Sequence, residues 1–230
     1  MAIGKVIHKS GVMFPDFDKI TDNMDFYDNN VLSFIWFAQI SNITKIDILE
    51  YFECLYLDGA MENGTEVDSI FLCWYPYKEL HPTLQENDPK PTYASECINL
   101  LGQLFLAGYI EFGMCGLQDK EENDLSKQKE DKYQAWIYFR DNFFYTEAYN
   151  RDMIDLREKY PNMSDDDYLH SNWDTPQYWD KYHFWVARTP KGTKYFNEIL
   201  APRFYNKYKD LEVEIDDKGN IIRWIGKINR

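Results

Sequence analysis

The residues that could do chemistry are concentrated in one short acidic and aromatic stretch of the chain. Three consecutive aspartates follow Ser164, and the sequence as far as Asp180 adds further carboxylates and several large rings. Carboxylates beside Trp and Tyr are a combination that anchors a basic protein partner, because the rings supply contact energy and the acids supply charge. We therefore predict a partner-binding surface made of Asp165, Asp166, Asp167, Trp173, Asp174, Tyr178, Trp179 and Asp180.

Each of these residues also has an ordinary structural interpretation. The aspartate run could hold a hard cation, but it lacks the alternating ligands and the central glycine of a calcium loop. Ser164 is a typical N-cap residue, and acidic side chains are favoured in the first turn of a helix, so we favour a helix start. Any single ring of the stretch can instead pack in a core, and stacking on a sugar or a base is a third alternative.

The sequence contains no pattern that indicates catalysis or metal binding. The four histidines form no i, i+4 pair and no H-E-x-x-H motif. The nucleophile motif G-x-S-x-G and the two glycine-rich phosphate-binding motifs are also absent from the sequence. We therefore predict a protein that is not an enzyme and uses no metal ion and no cofactor. A catalytic site assembled from residues distant in sequence stays an alternative.

The distribution of charge says more than the net charge of −14. Residues 1–110 contain 16 acidic and 6 basic side chains, residues 111–180 contain 17 and 8, and residues 181–230 contain 6 and 11. A negative surface repels a phosphate backbone and steers cationic partners towards it. We predict a basic protein as the partner, with solubility alone as the alternative explanation of the acidity.

The composition is that of a folded protein. With 230 residues, 44% of them hydrophobic, the chain can bury a substantial core. Its longest apolar run, residues 31–40, is interrupted by Ser33 and Gln39 and is shorter than the roughly 18 to 20 residues of a membrane span. The first residues lack a secretory signal pattern, so we expect a cytoplasmic protein with reduced cysteines.

Apolar periodicity predicts a mixture of helices and strands in the α+β class. We predict an irregular arm over residues 1–28 and a solvated loop, which buries nothing, over the highly charged residues 117–132. The predicted helices are 29–42, 44–57, 93–107, 143–159, 163–178 and 190–200. The predicted strands are 67–77, 109–113, 133–139 and 182–188, and a C-terminal β-hairpin is predicted over 211–228.

The order of these elements resembles a winged-helix domain over about residues 30–200. The resemblance is carried by helices that end at Gly59 and Gly108, by the strands 109–113 and 182–188, and by the helix start Thr189-Pro190-Lys191-Gly192. It implies a single domain, residues 1–230, in which a winged-helix-like helical core and a small antiparallel sheet are followed by the hairpin. The chain departs from the family in two long insertions, residues 58–92 and 114–181.

In winged-helix DNA-binding proteins, cationic and amide side chains of the recognition helix and the wing contact bases and phosphates. The corresponding helix here, residues 93–107, offers Ser95, Glu96, Asn99 and Gln103 but no Lys or Arg. We therefore do not expect nucleic acid as the ligand. The remaining candidates for a nucleic-acid contact are the basic residues of the tail, Arg203, Lys207, Lys209, Arg223, Lys227 and Arg230.

In its size, acidity and lack of catalytic motifs, the chain is also similar to bacterial toxin-immunity proteins. This resemblance is compositional, and it implies an antitoxin that covers the active site of a basic, nuclease-type toxin domain. Its carboxylates would then take the place of the substrate phosphates. A winged-helix transcriptional regulator is the alternative, and the sequence predicts no oligomeric state.

Overall fold

The fold combines helices with two antiparallel sheets, which confirms the predicted α+β class. A computed structural model describes residues 1–5, 16–17, 37, 39–67, 91–115, 123–146, 148–217 and 220–230. Two compact units make up the chain. Unit 1 consists of residues 1–58, 72–91 and 194–230, and unit 2 consists of residues 59–71 and 92–193. Within the described ranges, no helix has the length and apolar character needed to cross a membrane.

The elements are numbered in chain order. The strands are β1 (Ala2–Lys5), β2 (Asp16–Phe17), β3 (Thr65–Glu66), β4 (Ile110–Met114), β5 (Phe184–Arg188), β6 (Leu211–Ile215) and β7 (Ile221–Gly226). The α-helices are α1 (Lys45–Gly59), α2 (Pro91–Leu106), α3 (Lys132–Phe139), α4 (Met153–Lys159), α5 (Asp165–Leu169), α6 (Pro190–Tyr195) and α7 (Ala201–Tyr208). Short 3₁₀ turns lie at Leu125–Lys127, Ala148–Asn150 and Pro176–Tyr178, and π-helical turns lie at Arg140–Phe144 and Phe196–Leu200.

Unit 1 contains a four-stranded antiparallel sheet in the order β2-β1-β6-β7. Strands β6 and β7 pair as an antiparallel hairpin at the predicted place, with Leu211 opposite Gly226. Helix α1 begins after Thr44, whose hydroxyl and the carboxylate of Asp47 cap each other's backbone N–H groups. The ring of Phe37 packs at 4.9 Å from Tyr51 of α1 and at 5.3 Å from Tyr208 of α7. Aromatic packing of this kind holds the helices of the unit together.

Unit 2 contains a three-stranded antiparallel sheet in the order β3-β5-β4. One face of this sheet packs on an aromatic core in which Phe139 and Phe143 of the α3 region lie 4.8 and 4.9 Å from Phe184 of β5. Helix α2 ends at Gly108, whose φ of 74° is in the left-handed region that favours glycine. The ammonium group of Lys132 donates to the carbonyl of Phe105 at 2.8 Å and so satisfies one of the last carbonyls of the helix.

Several predicted elements are wrong in this unit. Residues 133–139 form helix α3 and not a strand, because Asp131 caps the helix by accepting from the backbone N–H of Gln134 at 2.8 Å. Three buried side chains, Ala135, Trp136 and Phe139, then follow at helical spacing, which overrides the β preference of the rings.

The predicted helices 143–159 and 163–178 are also shorter than expected. Only α4 and α5 are α-helical there, with short 3₁₀ and π-helical turns around them. The charged segment 117–132 was expected to bury nothing, but Leu125 is fully buried. In the predicted irregular arm, Ala2–Lys5 pairs with β6 as a strand. Most of the predicted helix 29–42 and strand 67–77 lie outside the described residues.

Candidate partner-binding cleft

The sheet of unit 2 has one core face and one open face, because side chains alternate along a strand. On the core face, Phe112 and Met114 of β4 and Phe184 and Val186 of β5 are fully buried. The open face carries Trp185 from the central strand β5, half-buried. A cleft of about 730 Å³ lies over this face. Its described lining is Glu62, Asn63, Gly64, Thr65, Glu66, Glu111, Asn123, Asp124, Trp185 and Ala187.

Strand register places acidic side chains on both sides of the indole. Glu66 of β3 is directly opposite Trp185, and Gly113 of β4 is opposite Trp185 on the other side. Glu111 is opposite Ala187, two residues further along β5 on the same face. Directly opposed side chains have Cβ atoms about 5 Å apart, and neighbours along one strand face are about 7 Å apart. The carboxylates of Glu66 and Glu111 therefore flank the ring of Trp185.

Two glycines provide the seat of the indole. A Cβ atom at Gly113 would lie 2.0 Å from Cζ2 of Trp185, so any larger residue would displace the ring. Gly64, with a φ of 84°, lies against the other side of the six-membered ring, where a Cβ atom would be 3.7 Å from Cε3. The ring thus lies flat in a place that only small neighbours allow, and Ala187 beside it leaves open space above the sheet.

The segment before the first 3₁₀ turn of the insertion forms a further wall of the cleft. The side-chain oxygen of Asn123 accepts a hydrogen bond from the backbone N–H of Met114, and Asp124 forms a β-bridge with Gly113. Asp124 also caps the turn, because its carboxylate accepts from the backbone N–H and the hydroxyl of Ser126 at 2.8 Å each. These bonds fix the wall against the edge strand β4.

The cleft is strongly acidic. Four of its lining residues, Glu62, Glu66, Glu111 and Asp124, carry carboxylates, and no Lys or Arg is among the lining residues that the structure describes. A cation outside the lining senses the same field: burial lowers the pKa of Lys132, while Asp124 and Glu111 act to raise it. Carboxylates around an exposed aromatic face are suited to a cationic group, which gains both charge pairing and a cation–π contact.

The described residues offer little else that could carry chemistry. None of the described ranges contains a group of three His, Cys, Asp or Glu side chains that could hold a metal ion. Of the cysteines described, Cys54 and Cys97 are buried and Cys115 is exposed, and none forms a disulfide. Desolvation raises the pKa of the Cys54 thiol, which makes this cysteine less reactive than an ordinary one. The cleft is accordingly the best-formed candidate site for binding.

Comparison of the chain with protein-family models, with curated proteins and with solved structures finds no match.

The aspartate run predicted for partner binding lies at the exposed start of helix α5. Ser164 and Asp167 form a capping box, and hydrogen bonds from the side chain and backbone of Ser164 lower the pKa of Asp167. Asp165 pairs with Arg157 at 2.5 Å, and Asp166 pairs with His170 at 3.1 Å. The run therefore begins a helix and remains exposed, with two of its carboxylates in surface ion pairs.

The other predicted site residues separate into buried and exposed ones. Trp173 is 5% exposed, while Trp179 and Asp180 are fully buried, so these three side chains offer no surface to a partner. Asp180 accepts hydrogen bonds from the hydroxyl of Tyr168 at 2.9 Å and from the backbone N–H of Tyr182 at 2.9 Å, and its carboxylate lies 2.8 Å from Nδ1 of His183. Asp174 is exposed and Tyr178 is half-buried. The structure thus places the site residues in two different environments.

Reasoning from the sequence missed Glu66, Glu111 and the role of Trp185. The alternation in Phe184-Trp185-Val186-Ala187 is a signal that Trp185 and Ala187 share one face. The position of Gly113 opposite Trp185 carries no such signal, since about 70 residues separate the two strands. Register between strands joined by a long insertion is not written in local sequence.

The basic residues of the tail are largely used inside unit 1. Lys207 lies 2.6 Å from both Asp47 and Glu50, and Arg230 lies 2.9 Å from Asp47. Arg203 pairs with Glu50, and Arg223 of β7 pairs with a glutamate of β6. These ion pairs reduce the positive surface that the tail could present to nucleic acid.

Proposed function

We propose that this protein is a non-enzymatic, acidic binding protein that captures a basic protein partner. Within this class, the best-supported role is that of an immunity protein or antitoxin that neutralises a nuclease-type toxin. The single observation that carries the proposal is the acidic cleft of unit 2, whose four carboxylates surround the indole of Trp185. Charge of one sign in a concave site raises both the rate and the selectivity of association with the opposite charge.

The proposed mechanism is occlusion. A nuclease active site presents cations that hold substrate phosphates, and carboxylates such as Glu66 and Glu111 can occupy the same cations. Residues 111–180, which include β4 and the insertion, hold 17 acidic and 8 basic side chains and would add long-range attraction. The exposed Asp165, Asp166 and Asp174 belong to that field, whereas the buried Trp173, Trp179 and Asp180 would support it only by holding the insertion in shape.

Co-purification from the source organism tests this function. The tagged protein is incubated with lysate in about 50 mM salt, and bound polypeptides are released by raising the salt concentration and then identified by mass spectrometry. We expect a basic polypeptide that degrades nucleic acid after its release and is inactive in the complex. Retention of only acidic polypeptides, or a basic one whose activity is the same in the complex, would contradict the proposal.

A winged-helix regulator that binds DNA is the second candidate, and strand order favours it. In unit 2 the first strand β3 pairs with the last strand β5, which also pairs with β4, and helix α2 directly precedes β4. This order is similar to that of a winged-helix sheet with a long insertion between the wing strands. The exposed side chains of α2 include Ser95, Asn99 and Gln103, which are polar but carry no charge to neutralise phosphates.

An electrophoretic mobility shift with random-sequence duplex DNA tests this second candidate. We expect no shift in about 50 mM salt, because non-specific affinity comes from phosphate contacts. A shift that weakens steeply as the salt concentration rises, and that is lost on substitution of Asn99 and Gln103 by Ala, would establish DNA binding and displace the capture proposal.

A further inference from the structure

We propose that the cleft of unit 2 is a receptor for one arginine side chain of the partner. The guanidinium would stack on the indole of Trp185 and pair with the carboxylates of Glu66 and Glu111. This inference rests on the proposed function and deepens it, because it names the chemical group that is recognised. The argument depends on three features of the cleft: the seat of the ring, the position of the acids and the available space.

The seat of the ring favours a planar cation. Gly113 lies so close to the indole that a Cβ atom there would be 2.0 Å from Cζ2, and Gly64 touches the ring from the β3 side. The ring therefore cannot turn into the sheet, and it is held with part of its surface towards the cleft. A guanidinium stacks on such a surface as a flat group, whereas an ammonium acts only as a point charge.

The position of the acids fits the fork of a guanidinium. Glu66 and Glu111 come from the strands on either side of β5, and both are exposed. Their strand positions put one carboxylate directly beside Trp185 and the other about one residue pair further along the sheet. A single guanidinium has five N–H donors in one plane and can therefore reach two carboxylates at once.

The space is large enough for a whole side chain. The cleft measures about 730 Å³, and the lining residues next to Trp185 include Gly64 and the small, buried Ala187. Asn123 and Asp124 close one end, where Asn123 is fixed by the backbone N–H of Met114. An arginine entering from solvent would leave water only at its guanidinium, so charge pairing there would be stronger than on an open surface.

The exposed aspartates of α5 provide a matched control. Asp165 and Asp166 carry the same charge as the glutamates of the cleft, lie in the same unit and are exposed. They are paired with Arg157 and His170 at the start of a short helix, and they do not line the cleft. Substitution D165N/D166N therefore changes the net charge of the protein as much as E66Q/E111Q does, without altering the proposed receptor.

Calorimetric titration with a hexa-arginine peptide in about 50 mM salt tests the inference, with hexa-lysine as the comparison probe. We expect the full-length protein to bind hexa-arginine more tightly than hexa-lysine. E66Q/E111Q should weaken binding of hexa-arginine about tenfold or more, which is the scale of charge-assisted hydrogen bonds. D165N/D166N should weaken it about twofold, the scale of a screened surface charge.

A second variant tests the ring and does not depend on charge. Trp185→Leu keeps all four carboxylates and should abolish the preference for hexa-arginine over hexa-lysine. Circular dichroism and urea unfolding identify variants that have lost the fold, and in that case Trp185→Phe, which keeps an aromatic face, replaces it. Equal loss with E66Q/E111Q and D165N/D166N, or an unchanged preference in the ring variant, would overturn the inference.

Failure of this inference can be told apart from failure of the proposed function. If the wild-type protein captures a basic nuclease and E66Q/E111Q captures it with equal affinity, the partner docks elsewhere and only the arginine receptor is wrong. If hexa-arginine binds at the cleft but no basic polypeptide is captured from lysate, the receptor stands and the capture function is wrong.

Discussion

The two units use their carboxylates in opposite ways. In unit 1, Asp47 of α1 is fully buried and is held by Lys207, Arg230, the hydroxyl of Tyr208 and the hydroxyl of Thr44. In unit 2, the acids of the cleft stand around an indole, and no Lys or Arg is among the described residues that line the cleft. Acidity is therefore consumed within the fold of unit 1 and presented to solvent in unit 2.

The difference shows why the charge of a sequence does not by itself locate a binding surface. The tail contains 11 basic side chains after residue 180, which would suggest a contact with nucleic acid. Arg203 and Lys207 instead cross to Glu50 of α1 within unit 1, and Arg230 crosses to Asp47. The positive tail and the negative helix cancel, and the field that remains for a partner comes mainly from unit 2.

The largest expected effect comes from breaking the buried network of unit 1. Asp47→Ala removes the carboxylate that Lys207 and Arg230 share and leaves their charges without it. We expect the free energy of unfolding to fall by about 3 to 5 kcal/mol, which is typical when one partner of a buried pair is deleted. Urea denaturation measures this, with the exposed Asp166→Ala as the control, for which we expect a change below about 0.5 kcal/mol. Equal costs for the two variants would mean that the network does not stabilise unit 1.

The same network predicts a particular dependence on acid. Burial raises the pKa of Asp47, but hydrogen bonds from Lys207, Thr44 and Arg230 outweigh it, so the pKa lies well below its ordinary value. Because the folded-state pKa is below the unfolded value of about 3.9, this stabilisation is complete above about pH 4 and is lost as the pH falls further. Urea midpoints at pH 6, 4 and 3 should therefore decline more steeply below pH 4 in the wild type than in Asp47→Asn. Parallel declines would assign the acid sensitivity to other groups.

How far the sequence predicts these two regions depends on how local the determinants are. The caps at Thr44 and Ser164, the end of α2 at Gly108 and the hairpin of β6 and β7 depend on neighbouring residues, and the structure places each where the pattern does. The cleft depends on the register of β3, β5 and β4, which come from distant parts of the chain.

The partner-binding prediction illustrates the same limit. Rings and acids between residues 165 and 180 look alike in sequence, but Trp173 and Trp179 pack 5.9 Å apart inside unit 2. Burial of a ring depends on which elements cover it, and that is a tertiary property. The sequence could therefore suggest acidic and aromatic recognition in unit 2 without locating the cleft that offers it.

An intermediate effect is expected from filling the seat of the indole. In Gly113→Ala the new Cβ atom would lie 2.0 Å from Cζ2 of Trp185 and 2.5 Å from the side-chain oxygen of Asn123, so the ring must move. We expect a loss of about 1 to 3 kcal/mol in the free energy of unfolding, the usual cost of overpacking. In a Trp185→Ala background the clash with the ring is gone, and the same substitution should cost less. An identical cost in both backgrounds would show that the ring does not rest on Gly113.

The smallest expected effect on stability sharpens the comparison most directly. E66Q/E111Q changes two exposed carboxylates of unit 2, and we expect the free energy of unfolding to change by less than about 0.5 kcal/mol. Glu50→Gln changes one carboxylate of unit 1 that lies 2.6 Å from Lys207 and 2.8 Å from Arg203, and its cost should be clearly larger. Urea denaturation of both variants, at the same pH and salt concentration, makes the test. A larger cost for E66Q/E111Q than for Glu50→Gln would mean that the acids of the cleft hold unit 2 together, and they would then not be available to a partner.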